Sequence, residues 1–253
     1  MGRLLNLLEG GGADFRAIPG LAVYFDPTDK STLTFNSTTI SGTRNKGNLG
    51  VGNFAQATAG RQPLYLANSI NGQPGLQGKH DGTNGSYLAI AALNLAYTKF
   101  THFTVFKRRV DTGTAERISG KYDTAANDRE HMLQITTGDA LNGFIDADGA
   151  AGGTSLVAPA TPTIAVGTPY IAMHKYDGAT NYLALNRTNV GTNAYSGGVF
   201  NGSGEYQLFN SSTFGENFAG DITADLFWID ALNAAQEAAV WAALSAQFGI
   251  SIA

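Results

Sequence analysis

Carboxylates, histidines and loop aromatics are the groups in this chain that could do chemistry. A retaining glycoside hydrolase needs two carboxyl groups about 5 Å apart, one as acid and one as nucleophile, and an E-x-D-x-x-E run on a strand supplies them. No such run exists. Glu116, Glu130, Glu205, Glu216 and Glu237 are isolated. Asp221 and Asp225 flank an apolar run and read as turn or cap residues. His80, His102, His131 and His174 show no pairing at i, i+2 or i+4, so no local zinc site can be built from them. Each reads as a strand residue with its own hydrogen bond. A Gly-x-Ser-x-Gly elbow and a Gly-Lys-Ser/Thr phosphate loop are both absent. Catalysis is therefore not expected.

Binding chemistry leaves more candidates. Asp146-Ala147-Asp148-Gly149 puts two carboxylates in one turn, and Asp146 and Asp148 are hard oxygen ligands of the kind Ca²⁺ takes. No glutamate follows to complete the ligand set, and the same residues make an ordinary hairpin. Tyr122, Asn127, Tyr195, Tyr206 and Phe214 fall near the ends of expected loops. Sugars stack on such rings and hydrogen-bond to such amides. Aromatics buried in a core would leave the same pattern.

The elements that must position these residues are strands. The chain has 253 residues, 43% of them hydrophobic and only 14% charged. That is enough apolar content for one sizeable core, with a surface made mainly of Thr, Ser, Asn, Gln and Gly. The net charge of −4 excludes a basic footprint for nucleic acid. The densest basic run, Lys107-Arg108-Arg109, reads as a solvated strand end. With no cysteine there are no disulfides and no thiolate metal sites. No segment approaches the ~18 apolar residues of a membrane span.

Thirty-two glycines and pairs such as Asn71-Gly72, Asn142-Gly143, Asp148-Gly149, Asp177-Gly178 and Asn201-Gly202 mark tight turns between short apolar runs. The expected strands are Leu21–Phe25, Tyr87–Ala91, His102–Arg108, Glu116–Lys121, His131–Thr136, Leu141–Asp146, Tyr170–Tyr176, Asn181–Asn186, Tyr206–Asn210 and Ala219–Trp228. In Tyr170–Tyr176 both alternating faces are partly apolar, as in one of two packed sheets. Gly149 to Gly167 reads as a loop. One helix is expected from about Ala234 to Gln247. Asn233 and Gln236 have capping-box spacing, Trp241, Leu244 and Phe248 share a face, and Gly249 sits at C′. The predicted fold is therefore all-β: a two-sheet antiparallel sandwich of jelly-roll type with one C-terminal helix.

Residues 1–12 read differently. Leu4, Leu5, Leu7 and Leu8 make a short helical segment, and Gly10-Gly11-Gly12 follows as a link. A nine-residue helix is marginal alone, so these leucines are expected to anchor on the sandwich or on another subunit. The expected organisation is an anchoring peptide and link over 1–12 and one sandwich domain over 13–253. The first nine residues make a poor signal peptide.

Several stretches resemble the concanavalin A-like lectin/glucanase superfamily in its laminin G-like form, as found in tailed-phage virion proteins. Phe218 to Glu237, ending at Phe248-Gly249-Ile250, is similar to the family's closing strand, helix start and terminal "FG-I". Pro19 to Asp29 is similar to its opening strand. Gln62-Pro63 with Asn71-Gly72-Gln73-Pro74, and Asp81-Gly82 leading to Tyr87-Leu88, resemble its intermediate segments. In the second of these His80 replaces the usual Phe. Tyr176-Asp177-Gly178 looks like the turn before the family's "NG" strand.

The resemblance implies a fold that carries many activities, often with one Ca²⁺ at a loop rim. It implies a phage virion structural protein, a capsid decoration or a tail or baseplate component. Such a protein is made in the host cytoplasm, assembles as a homo-oligomer with other virion proteins through the N-terminal segment, and can bind surface polysaccharide. Neither a nucleic-acid nor a membrane partner is expected. The alternatives are a free carbohydrate-binding module or lectin of a bacterial surface protein, and a glycoside hydrolase.

Overall fold

The computed structural model describes residues 14–80, 85–91, 93–123, 127–150, 155–157, 163–209 and 216–253. Leu4, Leu5, Leu7 and Leu8, the expected N-terminal helix and the boundary at residue 12 lie outside the described residues.

Seventeen strands and one α-helix occur among the described residues. The first half of the chain carries β1 (Leu21–Phe25), β2 (Leu33–Asn36), β3 (Thr39–Thr43), β4 (Phe54–Ala55), β5 (Leu64–Ile70), β6 (Gln73–Gln77), β7 (Leu88–Ile90), β8 (Phe100–Arg108) and β9 (Glu116–Asp123). The second half carries β10 (Asp128–Ile135), β11 (Leu141–Ile145), β12 (Ser155–Val157), β13 (Pro169–Tyr176), β14 (Thr180–Leu185), β15 (Thr188–Ala194), β16 (Tyr206–Leu208) and β17 (Gly220–Trp228). The helix α1 (Ala234–Phe248) closes the fold.

The strands form two antiparallel layers. The first runs β1–β17–β8–β13–β14–β15, with β6 beside β1 on the same edge of β17. The second runs β4–β7–β16–β9–β10–β11–β12. β6 pairs with β5, β5 touches β3, and β3 pairs with β2 and β4, so the hydrogen-bonded ladder wraps from one layer to the other along a single side. This is the sandwich that the turn spacing predicts.

Strand alternation sorts the first sheet into two cores. Phe100 and Phe106 of β8, Tyr170, Ala172 and Tyr176 of β13, and Ile222 and Phe227 of β17 lie in the cluster between the sheets. Their neighbours Phe103, Val105, Ile171, Met173, Leu226 and Trp228 point the other way, into a second cluster with Trp241, Leu244 and Phe248 of α1. The first sheet is thus apolar on both faces because helix covers one and sheet the other. Each large ring buried in this way contributes about 2–3 kcal/mol.

The helix has the predicted ends. Asn233 accepts from Ala235 N and Gln236 N, Gln236 reaches back to the Asn233 amide, and Gly249 adopts φ 60°. Asn71-Gly72 is a two-residue turn with both φ values positive. Two expectations are corrected. Asn142-Gly143 is not a turn but lies inside β11, where a Cβ on Gly143 would meet the His174 ring at 2.8 Å. The stretch from Gly149 to Gly167 is not all loop, because β12 lies within it and pairs with β11. Among the described residues no helix is long and apolar enough to cross a membrane.

Candidate functional site at the loop rim

One end of the sandwich gathers the loops β7–β8, β9–β10, β11–β12 and β15–β16. The ladders require it. Ile90 pairs with Tyr206, Tyr206 with Lys121, Lys121 with His131, and His131 with Ile145. Asn127, Asp146, Asp148 and Tyr195, predicted separately, therefore share this rim, and Tyr122 stands beside it.

Beneath the rim lies a belt of buried polar side chains. Glu130 is the extra residue of a bulge in β10, where Arg129 faces Tyr122 and His131 faces Lys121. The bulge turns the carboxyl inward, and Glu130 and Lys121 are both fully buried as an ion pair. Glu130 also accepts from Gly202 N at 2.6 Å and from the Tyr97 hydroxyl at 2.6 Å. Lys121 Nζ donates to Leu93 O at 3.0 Å and Gly202 O at 2.5 Å. One buried pair thus ties the β7–β8 loop to the β15–β16 loop. Burial pushes the Glu130 carboxyl up to about 7, against the opposing pull of Lys121.

Between those two loops sits a hollow of about 400 Å³ lined by Asn94, Leu95, Ala96, Asn201, Gly202 and Ser203. No lining residue is charged. Asn201 braces the wall by accepting from Tyr97 N at 2.8 Å. Gly202 is required there, since a Cβ would meet Asp128 Oδ1 at 2.0 Å. Asn94 and Ser203 are exposed. Their amide and hydroxyl face solvent as hydrogen-bonding groups.

Deeper still, Asp225 joins the two sheets. Its Oδ1 accepts from the Tyr206 hydroxyl at 2.5 Å, and its Oδ2 lies 2.6 Å from Thr104 Oγ1 and 3.0 Å from His102 Nε2. Ser119 Oγ approaches the same histidine nitrogen at 3.1 Å. His131 stacks on Phe227 at 4.5 Å between ring centroids and 5° between planes. His174 Nε2 bonds Asn181 Oδ1 at 2.8 Å. Burial holds His131 well below its usual range and His174 down at about 3, so both rings are neutral.

Several sequence expectations are corrected here. Tyr206 is fully buried and spends its hydroxyl on Asp225, so its ring is not offered to a sugar. Asp221 and Asp225 are buried strand residues of β17 rather than turn or cap residues. Asp221 accepts from Ser69 and is paired to Lys107 and Arg109. The basic run is therefore not a solvated strand end: Arg108 is 1% exposed and pairs with Asp111, Glu116 and Asp139. Three histidines meet in space although none is paired in sequence, with His102 and His131 rings 5.6 Å apart. His80 stands exposed in a loop. Among the described residues no group of three His, Asp or Glu is placed to hold a metal.

The remaining predicted residues are placed as follows. Tyr122 packs edge-on against Phe144 at 4.8 Å, with the Arg117 guanidinium 4.5 Å over its ring. Asn127 is exposed with φ 52°. Asp146 is buried and its Oδ1 accepts from Asp148 N at 3.1 Å, while Asp148 is exposed. Burial raises the Asp146 carboxyl against the opposing pull of the Asp148 amide, and the Asp148 carboxyl adds to the rise. Tyr195 is half-buried against Tyr176 at 5.5 Å, and burial next to Asp146 lifts its hydroxyl to about 12. Phe214 lies outside the described residues. Sequence reasoning missed Lys121, Glu130, Tyr97 and the Asn94 and Ser203 walls.

No family model matches the chain, and no curated protein matches it. Solved structures do. The binding domain of Paraclostridial Mosquitocidal Protein 1 superposes with a TM-score of 0.63 at 10% identity, over 92% of this chain and 53% of that one. The binding domain of Botulinum Neurotoxin DC in complex with SialylT gives 0.57 at 9%, over 91% and 52%. Domain 4 of AbnA, a GH43 extracellular arabinanase from Geobacillus stearothermophilus in complex with arabinotriose, gives 0.52 at 14%, over 85% and 95%. The likeness is one of fold. The chain spans about half the length of the first two and nearly all of the third.

Proposed function

We propose that this chain is a non-catalytic carbohydrate-binding domain that reads a neutral glycan at the loop rim. The observation that carries the reading is the uncharged hollow between Asn94–Ala96 and Asn201–Ser203, braced from below by Lys121 and Glu130. A neutral sugar needs amides, hydroxyls and a small apolar wall rather than charge. Both Glu130 oxygens are committed, to Lys121 and Gly202 N on one side and Tyr97 on the other. That takes Glu130 out of any carboxylate pair that could cleave a glycosidic bond. Two of the fold's neighbours were solved as complexes, with SialylT and with arabinotriose.

The domain's place in a virion is part of the same proposal. It rests on the low-charge, amide-rich composition and on the leucines of residues 1–12. The purified chain should retain neutral polysaccharides in a binding array, and Asn94→Ala with Ser203→Ala should weaken retention by about tenfold, as two lost hydrogen bonds do. A flat response across neutral polysaccharides sinks the glycan reading. Release of oligosaccharides sinks the non-catalytic one. Particles that incorporate a chain lacking residues 1–12 as well as the full chain sink the anchoring.

A further inference from the structure

The outer face of the first sheet is covered unevenly by α1. Beside the helix, over β13 and β14, a cleft of about 370 Å³ remains open. It opens because α1 presents Ala234 and Ala238 to that flank, and neither reaches the sheet. Met173, Ala184 and Trp241 supply an apolar floor. The volume lies within the ~300–1,000 Å³ range of small-molecule sites.

Charge in the cleft is not balanced. Lys175 Nζ lies 2.5 Å from Glu237 Oε1 and 4.6 Å over the Tyr182 ring, so that cation is neutralised in place. Arg187 is the other cation of the lining. It is exposed, and among the described residues its guanidinium has no ion pair or hydrogen bond.

The position of Arg187 is also costly. Asn186 and Arg187 form the two-residue hairpin between β14 and β15, with φ 48° and 70°. A turn with both φ values positive favours Asn-Gly, so glycine would fit the second place without strain. An arginine kept in a conformation glycine prefers, at the mouth of a cleft, points to work done by the guanidinium.

We propose that this cleft is a second ligand site, one that takes a sugar bearing a carboxylate. Arg187 receives the carboxylate through two parallel N–H donors, the pairing its planar fork favours. The apolar floor accepts the C–H face of the ring, and Glu237 and Lys175 are within the same cleft to order hydroxyl groups. The cleft shares no residue with the rim hollow, so the two sites stand or fall separately.

Titration of the isotope-labelled full chain with glucuronate, glucose and a glutamate-containing peptide, followed by NMR, tests the site. Glucuronate should shift the amides of Tyr182, Arg187 and Ala238 saturably and leave Asn94 and Ser203 unmoved. Glucose should bind at least about tenfold more weakly, the loss expected when a charge-assisted pair is absent. Arg187→Gly should remove the same factor while leaving the melting temperature undiminished, because glycine relieves the turn. The proposal is overturned by equal affinity for glucose, by glucuronate binding that survives Arg187→Gly, by tighter binding of the peptide, or by no saturable shift at all.

Discussion

Glu130 meets Lys121 inside the sandwich although neither residue is in register with the other. Lys121 is opposite His131, and only the bulge at Glu130 brings the carboxyl to the ammonium. Around that contact the pair collects Leu93 O, Gly202 O, Gly202 N and the Tyr97 hydroxyl. The two loops that shape the rim hollow are thereby fastened to the middle of the domain as well as to each other.

Removing the cation should therefore loosen the whole rim. Lys121→Met leaves Glu130 buried without its cation, and breaking such a pair costs about 3–5 kcal/mol. Adding Glu130→Gln to that variant should recover a large part of the loss, since the stranded charge is gone. Urea unfolding midpoints of the two variants check this. Equal losses in both would show that the pair does not act as a unit.

Acid should destabilise the protein through its histidines. His131 and His174 are held neutral in the folded state, His174 down at about 3, whereas an unfolded histidine protonates near 6.5. Below about pH 6.5 the unfolded chain binds more protons, so their contribution is complete above that pH and declines as pH falls toward 3. Glu130 works in the opposite sense. Its carboxyl is raised from 4.5 to about 7, so the folded state holds the extra proton and stability is lost as pH rises across that window. Glu130→Gln should therefore steepen the gain in stability between about pH 4.5 and 7. Chemical unfolding at a series of pH values measures it, and an unchanged profile refutes it.

Gly143→Ala should be costly despite lying in a strand. The new Cβ would sit 2.8 Å from Cδ2 of His174, and overpacking of this sort costs about 1–3 kcal/mol. In a His174→Ala background the cost should shrink, giving a coupling of at least about 0.5 kcal/mol in a double-mutant cycle. Additive losses would mean that the glycine answers to something other than the ring.

The parts of the fold legible in the sequence are those governed by local rules. β1 occupies Leu21–Phe25 as its five apolar residues predict, and α1 starts and stops at Asn233 and Gly249 because a cap and a left-handed glycine depend only on neighbours. β2 to β6 were not legible. β2 is mostly exposed, and both the β2–β3 and β5–β6 ladders slip register, so no period of two survives. The site was harder to read for the same reason. Asn127, Asp146, Asp148 and Tyr195 could be named one by one from turn chemistry, but their shared rim depends on ladder order. Glu130 and Asp225 look like any isolated carboxylate until a bulge and a partner sheet bury them. Tyr206 looked like a loop ring because it opens a strand of three residues, and the long-range contact to Asp225 is what places it inside.

β8 and β17 are covered by the second sheet on one face and by α1 on the other. Amides in such strands have no local route to solvent, so their hydrogens should exchange only when the entire domain opens. The fastenings at Lys121 and Glu130 attach the rim hollow to that slow interior. A sugar held at the rim would then be felt as slower exchange in β8, and the middle of the sandwich would report occupancy at its edge.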